Sequence, residues 1–196
     1  MEPNEHIRTI LEDIPQNANA LGQSTAPITL DYFADLQCPY CRDFSLGVLP
    51  SIINRWVRPG TLRVVYRALE TATRDPEVFV AQQAAVLAAG RQARAWQFVE
   101  TFYSEQGEEN SGYVTDSYLH AIASQITGLG IEQWAADRHE PNLIKEIASD
   151  AQAAEHASLR GTPSFLIGTT GGTMNTFAAN GSMTFDQAIE WLSAAR

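Results

Sequence analysis

The chain has 196 residues, 44% of them hydrophobic and 18% charged, enough to bury a full core in one domain with a sizeable insertion. Its formal charge of −10 argues against a role on nucleic acid or at an anionic membrane, both of which need clustered Lys and Arg. Residues 1–11 (MEPNEHIRTIL) place charges where a signal peptide needs an apolar core, and no later segment approaches the roughly 18 apolar residues of a membrane span.

Residues 28–33 (ITLDYF) form a β-branched and aromatic run suited to a buried strand, preceded by Ala26-Pro27 as a start signal. From 39 to 57 the apolar residues Phe44, Val48, Ile52, Ile53 and Trp56 recur at helical spacing. Pro39 suits a first turn, whereas Pro50 should kink or divide the helix. Pro59-Gly60 makes a turn, and 61–67 (TLRVVYR) reads as a second strand. Strand, helix, strand implies a right-handed crossover between parallel neighbours.

Between 75 and 159 the pattern is helical, with helices expected near 76–90, 94–106, 115–126, 131–137 and 142–158. The aromatics Trp96, Phe98, Phe102, Tyr103 and Trp134 read as core. Strand signal returns at 164–168 (SFLIG). A turn at 169–172 and a weaker strand near 175–178 complete a hairpin, and a closing amphipathic helix follows over 183–195, capped at Thr184. This order is that of an α/β thioredoxin-like fold, a mixed sheet flanked by helices. It divides the chain into an N-terminal extension (1–27), a thioredoxin-like domain (28–70 and 160–196) and an inserted helical domain (71–159).

The chain has two cysteines, Cys38 and Cys41, in Cys38-Pro39-Tyr40-Cys41. So short a loop removes little unfolded-state entropy, which disfavours a structural disulfide. A thiolate, not a thiol, attacks disulfides. Cys38 falls where the first strand hands over to the helix, and unpaired N–H groups and the positive end of the helix dipole favour an anion there. Cys41, one turn in, lies on the same face, so one sulfur can attack and the other resolve. The second feature is Gly161-Thr162-Pro163-Ser164-Phe165 at the head of the returning strand. In a thioredoxin core this loop packs against the cysteines, where a cis Pro163 would leave the backbone of Thr162 free to pair with an extended substrate.

The stretch 30–41 (LDYFADLQCPYC), the element order, the helical insertion and the Gly-Thr-Pro-Ser-Phe loop resemble the DsbA-like family of bacterial thiol:disulfide oxidoreductases, in its BdbD-like branch. The resemblance implies Cys38 as nucleophile, Cys41 as resolving cysteine, Pro163 as the cis proline, and Thr162, Pro39 and Tyr40 as tuning or substrate-contact residues. It further implies oxidative folding of reduced or unfolded exported proteins outside the cytoplasm, with reoxidation by a membrane partner of DsbB-like or VKOR-like type. The Cys38–Cys41 disulfide would serve in place of a cofactor. A leader or anchor would then be absent from this chain, although the residues alone leave a cytosolic protein open. Members of this family often carry a buried acid six residues before the first cysteine. Here that residue is Tyr32, flanked by Asp31 and Asp35, and Asp35 is expected to relay the proton of Cys41, with a helix-start or surface role as its alternative. Tyr40 stands where a histidine would favour a stronger oxidant.

Rival readings are a disulfide reductase or isomerase, a glutaredoxin-like enzyme, a metal site and a peptide-binding protein. Without a separate dimerisation segment, a monomeric oxidase is preferred to an isomerase. The four histidines, His6, His120, His139 and His156, lack ligand spacing and read as surface residues, so no metal is expected.

Overall fold

The structure, a computed structural model, describes residues 3–178 and 184–194. The chain opens with helix α1 (Pro3–Leu11), which buries Ile7 and Leu11, four residues apart, against helix α5 described below. Two short strands follow, β1 (Gln16–Asn17) and β2 (Ala20–Leu21), neither of them anticipated from the sequence. Each is two residues long, too short for a periodicity signal. They exist because β2 pairs antiparallel with β4, placing Ala20 opposite Val65. Gly22 then turns the chain at φ +111, where an added Cβ would lie 2.9 Å from the Leu62 carbonyl oxygen.

Strand β3 (Ile28–Ala34) is buried at all seven positions rather than alternately. It sits between β4 (Leu62–Ala68), to which it is parallel, and β5 (Ser164–Thr169), to which it is antiparallel, and both of its faces are covered. On one face Tyr32 packs against Phe44, Tyr66, Trp96 and Phe165. On the other, Phe33 meets Ala154, Leu159 and Leu166. With β6 (Met174–Phe177) at the far edge, the sheet order is β1-β2-β4-β3-β5-β6.

The helical stretch between β3 and β4 is divided, as Pro50 requires. Helix α2 (Pro39–Asp43) leads into a π turn (Phe44–Val48), then α3 (Leu49–Ile52) and a second π turn (Ile53–Val57). Pro50 has no N–H to offer the Leu46 carbonyl, and the ladder shifts: the Leu49 N–H donates to Phe44 O, five residues back.

Between β4 and β5 run α4 (Pro76–Gly90), α5 (Ala95–Ser104), α6 (Asp116–Ser124), α7 (Ile131–Asp137) and α8 (Pro141–His156). Asp75 and Thr115 cap α4 and α6 through their side chains. Trp96, Trp134, Phe98, Phe102 and Tyr103 are fully buried, so these rings are core, and they join the sheet residues in one apolar cluster. Helix α8 is tied to β4 by Asp150, which accepts from Arg67 Nη1 (3.0 Å) and the Ala68 N–H (2.9 Å). The last helix, α9 (Phe185–Ala194), carries the expected cap: the Gln187 N–H donates to Thr184 Oγ1 at 3.2 Å. Met183 and Ala195, the expected limits of that helix, lie outside the described residues.

Candidate active site

Strand β3 ends at Ala34, and four residues later Cys38 occupies the N-cap of α2, with extended backbone (φ −72, ψ 119) and Pro39 at the first helical position. Cys41 lies one turn further, fully buried, while Cys38 is 4% exposed and Tyr40, pointing outward, 71% exposed. Both cysteines are free thiols.

The two sulfurs have opposite electrostatic settings. A hydrogen bond from Cys41 pulls the Cys38 pKa down to about 6 against the opposing effect of burial. Further lowering comes from Thr162 and from the backbone N–H groups of Cys41 and Tyr40 at the helix N-terminus. Cys41 is pushed far up, chiefly by burial and then by its hydrogen bond and proximity to Cys38. One thiol therefore ionises near neutral pH while its neighbour holds its proton.

Thr162 and Pro163 are brought against this pair from the head of β5. Their peptide bond is cis, and the Cys38 thiol donates to the Thr162 carbonyl oxygen at 3.3 Å. On its side-chain face, Thr162 Oγ1 lies 2.6 Å from Thr71 Oγ1, in the turn after β4.

That turn is held by Asp35. Its Oδ2 accepts the N–H groups of Thr71 (3.1 Å), Ala72 (2.9 Å) and Thr73 (2.8 Å). Its Oδ1 accepts the Gln37 N–H (3.0 Å), the Thr73 hydroxyl (2.6 Å) and the Gln82 amide (3.1 Å). Six donors exceed the roughly four lone-pair directions of a carboxylate. The backbone of Asp35 faces Cys41, whereas its carboxylate is engaged by the donors of the turn. Asp31, one strand position before Tyr32, points to the opposite face of the sheet and pairs with Arg67 at 3.5 Å.

Several participants carry no local signal. From the segment after α5, Gln106 Nε2 donates to the carbonyls of Leu36 (2.7 Å) and Cys38 (3.2 Å). The Asn110 N–H donates to Gln37 Oε1, and its side-chain amide to Ala72 O. Tyr32, at the position of the missing acid, donates through its hydroxyl to the Cys41 carbonyl at 3.1 Å. Glu100, one acid inside the aromatic run of α5, makes none of these hydrogen bonds. Among the described residues, no group of three or more His, Cys, Asp or Glu is arranged to hold a metal, and all four histidines are exposed.

A thiol poised to ionise at a helix N-terminus, a buried partner one turn on and a proline loop across from them define the dithiol redox class of the thioredoxin fold. A family model described as thioredoxin matches residues 16–187, and the chain belongs to the thioredoxin family, with the DsbA-like arrangement of its thiol:disulfide oxidoreductases. A curated relative, a probable disulfide bond formation protein D of Bacillus cereus, is 22% identical over 149 residues, spanning 76% of this chain and 68% of that one. Among solved structures, oxidised BdbD from Bacillus subtilis superimposes with a TM-score of 0.72 at 16% identity, covering 92% of this chain and 96% of that chain. Alpha-DsbA1 of Wolbachia pipientis gives 0.73 at 17% identity, covering 94% and 93%.

Proposed function

We propose that this thiol:disulfide oxidoreductase is a monomeric oxidase that forms disulfides in exported proteins outside the cytoplasm, and that a DsbB-like or VKOR-like membrane protein reoxidises it. In the oxidised enzyme a substrate thiolate attacks Cys38 Sγ. The Cys38–Cys41 bond breaks, a mixed disulfide forms at Cys38, and Cys41 leaves and takes up a proton. A second substrate thiolate then attacks the substrate sulfur of the mixed disulfide, and Cys38 departs as thiolate with both electrons. Pro39 and Tyr40 flank the attacked sulfur, while Thr162 and Pro163 line the approach of an extended substrate backbone.

The observation that carries the direction of electron flow is the placement of Cys38 at the N-cap of α2, where the hydrogen bond from Cys41 and the backbone N–H groups draw its pKa down to about 6. A thiol ionised at pH 7 with that pKa stabilises the reduced enzyme by about 1.4 kcal/mol, or ~30 mV, and a thiol of low pKa leaves quickly. The test is the reduction potential of the pair, measured against glutathione buffers. A value more oxidising than about −220 mV is expected, and one near −270 mV, typical of cytosolic reductases, would overturn the oxidase direction. Relatedness to disulfide bond formation protein D supports the same direction. No described helix is long and apolar enough to cross a membrane.

A further inference from the structure

Glu100 has no part in the chemistry above. It is 6% exposed on α5, and among the described residues no cation pairs with it. Such a group costs stability where Gln or Leu would not. Its oxygen Oε1 accepts a hydrogen bond from the fully buried hydroxyl of Ser45. Ser45 stands four residues after Cys41, and both are buried on the same face of the helical stretch. The Tyr32 hydroxyl, bonded to the Cys41 carbonyl, lies within electrostatic reach of both the Cys41 thiol and the Glu100 carboxyl.

On its other side Glu100 lines a largely apolar cavity of about 180 Å³ under α1, bounded by His6, Ile7, Ile10, Leu46 and Pro50. The volume is enough to admit water, and His6, Ser104 and the Glu100 carboxyl are its polar lining. The titratable groups facing the carboxyl are His6, which lines the same cavity, Tyr32, within electrostatic reach, and Tyr103, three residues on along its own helix; among the described residues no Lys or Arg lines the cavity. Burial drives the Glu100 pKa up to about 8, against the lowering effect of the Ser45 hydrogen bond, so the carboxyl exchanges its proton in the range where the enzyme works.

We propose that Glu100 is the proton reservoir of the cysteine pair, passing a proton to and from Cys41 through the Ser45 hydroxyl and exchanging it with solvent through the cavity under α1. This rests on the thiol:disulfide reading given above. When a substrate expels Cys41, the thiolate takes a proton relayed by Ser45 and Glu100 becomes a carboxylate, which is reprotonated from the cavity. In the reverse sense, with a glutathione mixed disulfide on Cys38, the Glu100 carboxylate takes the Cys41 proton through Ser45. The Cys41 thiolate attacks Cys38 Sγ, the bond to glutathione breaks, and glutathione leaves as thiolate.

The test mixes reduced protein with excess glutathione disulfide between pH 5 and 9 and resolves two phases by acid quenching. The first is attack by Cys38, and the second is release of glutathione by Cys41. Wild type is expected to show a second phase that rises with pH and levels off above about 8. In Glu100→Gln, which retains a hydrogen bond to Ser45, this phase should be at least tenfold slower at pH 7 and lose that levelling. Ser45→Ala, which leaves the carboxyl in place and guards against a folding defect in the first variant, should slow it similarly. Second phases within twofold of wild type in both variants would overturn the proposal, and slowing in Glu100→Gln alone would overturn the Ser45 route. A first phase absent from wild type would instead defeat the thiol:disulfide reading itself, and the proton route with it.

Discussion

Replacing Asp35 by Asn tests whether this carboxylate is an anchor or a relay. The fully buried Asp35 accepts three N–H groups at Oδ2, and one N–H, one hydroxyl and one amide at Oδ1. Whichever way Asn orients, its NH₂ faces three donors. Facing the first set, it orphans the buried Thr73 N–H at about 1–3 kcal/mol and weakens two part-buried bonds at about 0.5–1.5 kcal/mol each. Facing the second, the Thr73 hydroxyl and Gln82 amide can swing away, and the cost falls toward the lower end. A loss of about 2–4 kcal/mol is expected from equilibrium urea unfolding of the reduced protein, a large part of the 5–15 kcal/mol typical of a domain. Loosening the turn also frees Thr71 from Thr162, one of the groups that lower the Cys38 pKa, so the midpoint of Cys38 alkylation should move upward from about 6. A stability loss below about 1 kcal/mol with an unmoved midpoint would refute the anchor reasoning.

Stability should depend on pH with opposite signs at two groups. The Cys38 pKa is about 6 folded against an ordinary 9.0, so its contribution is fully present above 9 and is lost as pH falls through 6. The stability of the reduced form relative to the oxidised form, where neither sulfur titrates, should rise by about 3 kcal/mol from pH 6 to 9 and lose this trend in Cys38→Ser. For Glu100 the pKa is about 8 folded against an ordinary 4.5, so its neutral form is favoured and stability is lost as pH rises from 4.5 to 8. Between pH 5 and 7 the oxidised wild type should lose about 2–3 kcal/mol that Glu100→Gln retains; parallel urea curves would contradict this. Tyr40→His places an imidazole on the exposed first turn beside the Cys38 thiolate. Lowering that pKa by one corresponds to about 1.4 kcal/mol, and the reduction potential should rise by ~30 mV; an unchanged or lower potential counts against the account.

The elements that could be read from the sequence are those whose reasons are local. The run ITLDYF, the helical spacing from Phe44 to Trp56 interrupted at Pro50, and the helices capped by Asp75 and Thr115 each carry their signal within a few residues. The same holds for placing Cys38 at a strand–helix junction and Thr162-Pro163 at the head of a strand, since backbone propensity alone sets both positions. Strands β1 and β2 escape such a reading because two residues have no period; β2 is a strand only through pairing with β4, over 40 residues away, and β1 only through pairing with β2.

The acid was decided by tertiary structure. Asp31, Tyr32 and Asp35 are close in sequence, yet strand alternation sends Asp31 to Arg67 across the sheet, and the turn after β4 consumes the carboxylate of Asp35. Glu100, unremarkable as one acid in an aromatic helix, reaches the helix of Cys41 through Ser45, 55 residues away. Sequence by itself determined that two thiols would sit at the start of a helix in a thioredoxin-like fold, because helix geometry is written at short range. Burial and the partner that satisfies each polar group depend on contacts between distant segments, and for the proton of Cys41 those contacts exist only once the helices between β4 and β5 close over the sheet.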